Sequence, residues 1–259
     1  MARHIALYSD IHANAGALEA VYDDVRSEGV AERYCLGDLV GYGAAPAAVI
    51  ARVRASGDPV VQGNYDRGIG GRLGSCGCYY ATEQARADGQ ASYDFTVAAV
   101  SDEDAVWLAG LPTQIRLEHE GARVLLCHGS PRRVNEYLLP DRTDALLERL
   151  AREASADVVC VGHVHVPYHR PLPSGIHYVS SGSVGKPKDG DPRACWMELV
   201  VGNRDEVEAI GDPFASCIGS TGVWLGTVTH RVAYDLDAEV AAMSAVGLPD
   251  SLGRALRAS

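Results

Sequence analysis

Seven side chains in the first two thirds of the sequence are of the kinds that hold transition metals: Asp10, His12, Asp38, Asn64, His128, His163 and His165. They sit in five short motifs, Asp10-Ile11-His12, Gly37-Asp38, Gly63-Asn64, His128-Gly129 and Gly162-His163-Val164-His165. Imidazole nitrogen together with carboxylate oxygen suits manganese, iron or zinc better than magnesium or calcium. Seven groups exceed the needs of one ion. With one carboxylate shared, they would serve two divalent ions about 3.5–4 Å apart. Such a pair neutralises phosphate oxygens and activates a hydroxide at neutral pH. Phosphoryl transfer then depends mainly on positioning and charge stabilisation. One histidine after a strand is usually a capping or packing residue; the argument rests on all seven occurring together.

Each motif follows an apolar run. Ile5 to Tyr8, Tyr34 to Leu36, Val60 to Gln62, Val124 to Leu126 and Val158 to Val161 all read as strands that end at ligand-type residues. In open α/β sheets, ligands bind beyond the carboxyl ends of the strands. Helical patterns lie between. Asn14 is a cap for a helix whose face is Leu18, Val21, Tyr22 and Val25, with Gly29 as the stop. Pro46 opens a second helix through Ala55, closed by Gly57. Tyr79 to Leu108 and Thr143 to Ala154 are further helical stretches, and Glu120-Gly121 marks a hairpin. Gly68 to Gly77 and Gly211 to Gly222 read as loops. After His165 the pattern changes. Tyr178-Val179, Cys195 to Val201 beside a Gly202-Asn203 turn, and Val223 to Tyr234 read as antiparallel strands, with helix from Asp237. There is no composition break, so residues 1–259 are expected to form one α/β domain.

The composition sets limits on the function. Of 259 residues, 47% are hydrophobic and 22% charged, which is ordinary for a globular chain. A chain this long needs no disulfides to build a core. Cys35, Cys127 and Cys160 lie in apolar runs, where a free thiol behaves as a small hydrophobe. The first residues lack the apolar segment of a signal peptide, and no run is long enough to cross a membrane. A cytoplasmic setting is the expectation. The net charge of -11 argues against charge-driven binding to nucleic acid or anionic lipid. With aromatic residues at only 7% and no basic stripe, a nuclease is disfavoured. A small phosphate ester remains admissible, because bound cations reverse the local field.

In order and spacing, the five motifs resemble those of the calcineurin-like metallophosphoesterase superfamily. The segments Ser9-Asp10-Ile11-His12-Ala13-Asn14, Leu36-Gly37-Asp38-Leu39-Val40-Gly41-Tyr42-Gly43 and Gly182-Ser183-Val184-Gly185 resemble its small bacterial branch of YfcE-like phosphodiesterases. The resemblance implies a four-layer sandwich of two mixed β-sheets flanked by helices. It also implies that Asp10, His12 and His165 hold one ion, that Asn64, His128 and His163 hold a second, and that Asp38 bridges them. Manganese is the first expectation, with iron or zinc as alternatives. Phosphodiester hydrolysis leads, with a phosphomonoesterase as the alternative. A non-catalytic scaffold, like the related retromer subunit, is the rival of another class; such relatives tend to lose ligands, and here all seven positions are filled. A homodimer is compatible with the branch.

Two departures stand out. The third motif reads Gly63-Asn64-Tyr65-Asp66, with tyrosine where the family usually has a histidine. With a reference pKa of about 10, tyrosine is a poorer acid near pH 7. Its hydroxyl still donates to a phosphate oxygen. Tyr65 and Asn64 are therefore the expected catalytic groups beside the metals. The second departure is Ser180-Ser181-Gly182-Ser183, where relatives often carry Asn-Pro-Gly-Ser; it should alter loop rigidity more than chemistry.

Other residues have more modest readings. Arg67 is a candidate phosphate contact, and Arg72 a weaker one. Cys76-Gly77-Cys78 is too closely spaced for a zinc knuckle and reads as an exposed loop. Lys186, Lys188 and Arg193 lie in a loop that could border the cleft and reads first as a solvated loop of mixed charge. His4, His119, His169, His177 and His230 match no motif and read as structural or surface groups, His177 being the one that could support a ligand from behind.

Overall fold

The strand that starts the chain, β1 (Arg3–Tyr8), is apolar and buried from Ile5 onward, so it needs a layer on each face. The computed structural model, which describes residues 2–259, supplies both. The remaining strands are β2 (Glu32–Cys35), β3 (Gln114–His119), β4 (Ala122–Cys127), β5 (Val158–Val161), β6 (Pro167–Pro171), β7 (His177–Ser181), β8 (Ala194–Gly202), β9 (Ser216–Cys217) and β10 (Trp224–Val232). The helices are α1 (Ala15–Ser27), α2 (Pro46–Ser56), α3 (Asn64–Gly70), α4 (Glu83–Ala99), α5 (Asp102–Ala109), α6 (Asp144–Glu153), α7 (Arg204–Glu208), α8 (Leu236–Ala245) and α9 (Asp250–Arg257).

Two mixed five-stranded sheets form, in the orders β2-β1-β8-β10-β9 and β3-β4-β5-β7-β6. β1 runs parallel to β2 and antiparallel to β8, while β4, β5 and β7 run parallel to one another. The sheets share a core that includes Ile5, Leu7, Leu126, Cys160, Val179 and Leu199. Leu18, Val21, Tyr22 and Ile50 cover the outer face of the first sheet against Trp196. Leu147 and Leu150 cover the second against Leu125 and Val159. The result is the four-layer sandwich.

The local signals act as their chemistry requires. Asn14 caps α1 by accepting the Ala17 N–H at 3.0 Å. α2 starts at Pro46 and stops at Gly57. Three elements differ from expectation. Part of the expected Gly68–Gly77 loop is the end of α3, which begins at Asn64 because the Asp66 carboxylate takes the Gly63 N–H at 2.9 Å. β6 was hidden by its two prolines, which are tolerated because β6 is an edge strand pairing only with β7. β8 and β10 are antiparallel, but α7 and β9 lie between them rather than a tight turn. The reason is a capping box, in which Asn203 takes the Glu206 N–H and Glu206 takes the Asn203 N–H. The helical tail folds back as two helices. Leu252 and Leu256 of α9 pack with Met243 and Leu248 beside Tyr42. That contact puts α9 on the rim of the cleft described next.

Candidate metal centre

Backbone strain marks this site first. Asp10, His12, Asp38, His163 and His165 all have left-handed φ values, between 48° and 66°. Such conformations cost roughly 1–3 kcal/mol each and survive only where neighbours over-determine them. The neighbours are identifiable. Asp66, fully buried, accepts N–H bonds from Asp38 at 2.8 Å, Leu39 at 2.9 Å and Gly63 at 2.9 Å, tying the second motif to the third. A Cβ at Gly63 would lie 2.1 Å from Asp38 Oδ1, which explains the glycine there. Asp38 Oδ1 accepts the Tyr65 N–H at 2.8 Å, and Asp10 Oδ2 accepts the His163 N–H at 2.9 Å. The serine departure has a use, since Ser181 bonds Ser9 at 2.8 Å; beside it, Ser183, which matches the relatives, donates to the Asp10 carbonyl at 2.8 Å.

The seven side chains converge. Asp10, His12 and His165 form one group and Asp38, His128 and His163 another, each with one ligand atom per residue within 4.8 Å of the others. Asp38 Oδ2 lies between the groups, 3.8 Å from His12 Nε2 and 3.4 Å from His128 Nε2. Asn64 Oδ1 lies 3.1 Å from His128 Nε2. The Nδ1 atoms of His12, His128 and His165 face the carbonyls of Val40, Leu36 and Lys186. An imidazole that donates from Nδ1 presents a bare Nε2 to the centre.

These residues fit a pair of cations. Asp10 Oδ1 and His163 Nε2 are buried with no hydrogen-bond partner. The Nε2 atoms of His12 and His165 face each other at 3.2 Å. With both Nδ1 protons on carbonyls, that contact sets lone pair against lone pair until a cation joins them. Burial and the nearby His165 push His12 toward its neutral form; burial and His128 do the same for His163. His128 goes the other way, to about 9: burial lowers it, but Asp38 and then Asp10 outweigh burial. A bound cation would take the place of that proton.

A cleft of about 240 Å³ opens onto the centre and is lined by His12, Asp38, His163, His165 and Tyr65. Tyr65 is fully buried, its ring edge-on to His12 at 5.5 Å and its hydroxyl without a partner. Arg67 is exposed and lies away from this cleft, in grooves beside Asn64 and His128. Arg72 pairs with Asp102 at 2.6 Å on the surface.

Further residues reach the cleft from its surrounding loops. Lys186, half-buried, and Lys188, exposed, line it from a loop that stays partly in solvent. The acids of that loop are taken elsewhere, since Asp189 pairs with Arg231 and Asp191 with Arg193. The Lys186 ammonium sits over the Tyr42 ring at 4.6 Å, and burial, then Lys188, lowers it to about 8. Tyr137 packs on the His163 ring at 4.0 Å. Cys76 is buried and Cys78 lines the cleft, within a loop whose Gly77 and Tyr79 are exposed. Each of these positions lies on a loop whose path is set by tertiary contacts. His177 does not back a ligand; it bonds His169 at 3.0 Å and faces the Cys217 carbonyl at 3.3 Å.

A two-sheet sandwich with a histidine–carboxylate centre beyond its strand ends is the architecture of a metallophosphoesterase. Residues 4–213 match the calcineurin-like phosphoesterase superfamily domain, and the chain belongs to that superfamily. It is 30% identical over 208 residues to the uncharacterized protein MJ0912 of Methanocaldococcus jannaschii, covering 74% of this chain and 80% of that one. A metallophosphoesterase structure from Sphaerobacter thermophilus is 28% identical with a TM-score of 0.70, covering 100% of this chain and 99% of that chain. The protein PH1004 of Pyrococcus horikoshii OT3 shares the fold, with a TM-score of 0.75 at 20% identity over 98% of this chain and 97% of that one.

Proposed function

We propose that this protein is a metal-dependent phosphoesterase that favours phosphodiesters over phosphomonoesters. The observation that carries the proposal is the meeting of two ligand groups at Asp38, with Asp10 Oδ1 and His163 Nε2 left without a hydrogen bond beside an open cleft. Asp10, His12 and His165 would hold one divalent cation, Asn64, His128 and His163 the other, and Asp38 both. Manganese suits this donor set best, with iron or zinc next. Two such cations supply charge neutralisation for phosphate oxygens and acidify a water.

The chain's own groups do the rest. Lys186 and Lys188 add positive charge at the cleft and draw in an anionic ester. The free Tyr65 hydroxyl donates to a phosphate oxygen. Burial, and then Tyr42, raises Tyr65 well above its ordinary pKa, so it is a weak acid toward a poor leaving group. That weakness tells against most monoesters. A diester's second, uncharged substituent finds ring surface on Tyr42 and Tyr80 in the same cleft. Among the described residues no helix is long and apolar enough to cross a membrane. Free thiols throughout fit a reducing compartment such as the cytoplasm.

The test is hydrolysis of bis(p-nitrophenyl) phosphate against p-nitrophenyl phosphate. Metal-stripped protein is reloaded with Mn, Zn or Mg, and Asp38→Ala is the control. Metal-dependent turnover is expected, greatest with Mn, faster on the diester, and lower by at least about 10³-fold in the variant. No turnover by folded, metal-loaded protein would overturn the enzyme reading. Faster monoester turnover would overturn the diester preference.

A further inference from the structure

The turn Cys76-Gly77-Cys78 closes over the start of α3. Gly77 has φ +69°, a reversal that brings both thiols to one side, with Sγ to Sγ at 2.7 Å. Cys35, Cys127, Cys160 and Cys195 are instead buried along strands. The pair touches Asn64. The Asn64 Nδ2 donates to the Cys76 carbonyl at 3.1 Å and to Cys78 Sγ at 3.2 Å. A primary amide has a donor end and an acceptor end, and its partners decide which way it points. A carbonyl oxygen and a sulfur both accept, so they claim the NH2. The oxygen is left facing His128 Nε2 and the centre. The turn thus selects the end of Asn64 that could bind a cation.

We propose that Cys76 and Cys78 form an oxidisable pair that positions Asn64, and that closing them into a disulfide weakens the second metal position and slows turnover. This rests on the reading of Asn64 as a ligand. Both thiols can be reached by a small oxidant, Cys78 from the cleft and Cys76 from the groove it shares with Asn64. With a peroxide as oxidant, one thiol attacks the O–O bond, becoming a sulfenic acid as a first water (from hydrogen peroxide) leaves. The second thiol displaces the sulfenic oxygen as another water, and the S–S bond forms. Two thiols and one hydrogen peroxide give one disulfide and two waters. The sulfur that accepted the Asn64 N–H is drawn toward Cys76, and the amide loses one of the two partners that fix its orientation. A dithiol reverses the change.

The experiment treats manganese-loaded wild type, Cys76→Ser and Cys78→Ser with hydrogen peroxide and then dithiothreitol. Free thiols, intact mass, kcat and KM on the diester, and manganese affinity by calorimetry are measured. Wild type is expected to lose two thiols and two hydrogens of mass, with kcat falling about 10- to 100-fold while KM holds. One manganese equivalent should weaken by a similar factor, and dithiothreitol should restore all of these. Cys76→Ser, which keeps the carbonyl that accepts from Asn64, and Cys78→Ser, whose hydroxyl can accept from it, should show no reversible loss on peroxide and dithiothreitol. Cys78→Ala should lower kcat and weaken one manganese equivalent. The proposal fails if no Cys76–Cys78 disulfide forms. It also fails if one forms with kcat and manganese affinity unchanged, or if the serine variants show the same reversible loss. Absence of turnover in reduced wild type would sink the phosphoesterase reading instead, and the manganese affinities would still decide this one.

Discussion

The molecule holds two buried clusters of histidine and carboxylate that are alike in composition and opposite in design. One is the centre at the strand ends. The other joins β6 and β7 to the loop before β9: His169 bonds Asp212 at 2.8 Å and His177 at 3.0 Å, and His177 faces the Cys217 carbonyl at 3.3 Å. Asp212 also takes N–H bonds from Phe214 at 2.9 Å and Thr227 at 2.7 Å. Every ring nitrogen there has a protein partner, and none of the three residues has a positive φ. At the centre, Asp10 Oδ1 and His163 Nε2 have no hydrogen-bond partner, Asp10 Oδ1 meeting the His165 Nε2 edge at 3.2 Å, and five ligand-type residues are left-handed. Residue type therefore does not separate a functional cluster from a structural one. Unmatched atoms and strained backbone do, because a protein keeps such costs only where something outside the chain offsets them.

The largest effect that sharpens this contrast is expected at His163. Replacing it with Asn, a residue that tolerates left-handed φ, should lower metal-dependent diester turnover by about 10³-fold or more. The thermal stability of metal-stripped protein should move by no more than about 1 kcal/mol, since no hydrogen bond to the ring nitrogen is lost. A collapse in stability with turnover intact would break the comparison.

The next effect has the opposite character. Asp212→Asn should cost about 1–3 kcal/mol of stability, as expected when a buried hydrogen-bonded carboxylate loses its charge. Turnover per folded molecule should not change. Burial opposes ionisation of Asp212, but the bond from His169 and the backbone N–H donors outweigh it and hold the group at about 2. A folded value below the unfolded value of about 3.9 means the contribution is complete above roughly pH 5 and is lost as pH falls toward 2. The stability gap between wild type and Asp212→Asn, measured by denaturant titration, should therefore narrow from pH 5 downward. A gap that widens on acidification would refute this account.

The same contrast explains what could be read from sequence. The ligand-type residues were legible because each ends an apolar run, so one local pattern carried both strand and chemistry, as in Val158 to His163. His169 and His177 matched no motif, and their ring nitrogens all meet protein partners. Asp66 held a readable clue, an acid three residues past Gly63, yet its acceptance of N–H bonds from Asp38 and Leu39 depends on two loops meeting in space. Lys186 and Cys76 are less exposed than their loops suggest, because mixed charge and glycine look like a solvated loop. The direction in which such a loop faces is fixed by distant partners, here Arg231 for Asp189 and Asn64 for Cys78.

Tyr65 offers the smallest effect and the finest cut, because it shares features of both clusters. Its backbone N–H is tied down by Asp38, and its ring packs on His12 and on Tyr42 at 5.0 Å, as in a structural group. Its hydroxyl has no partner, as in a functional one. Tyr65→Phe removes only the unmatched atom. It should leave stability level or slightly higher, since a buried polar group without a bond is removed. Diester turnover should fall about 3- to 10-fold, the scale of one hydrogen bond to a phosphate oxygen. Tyr65→His installs a better acid near neutral pH and should raise monoester turnover relative to diester. If Phe leaves both rates unchanged and His leaves their ratio unchanged, Tyr65 belongs with the packing residues, and an unpartnered buried atom has to be weighed together with backbone strain before it counts toward function.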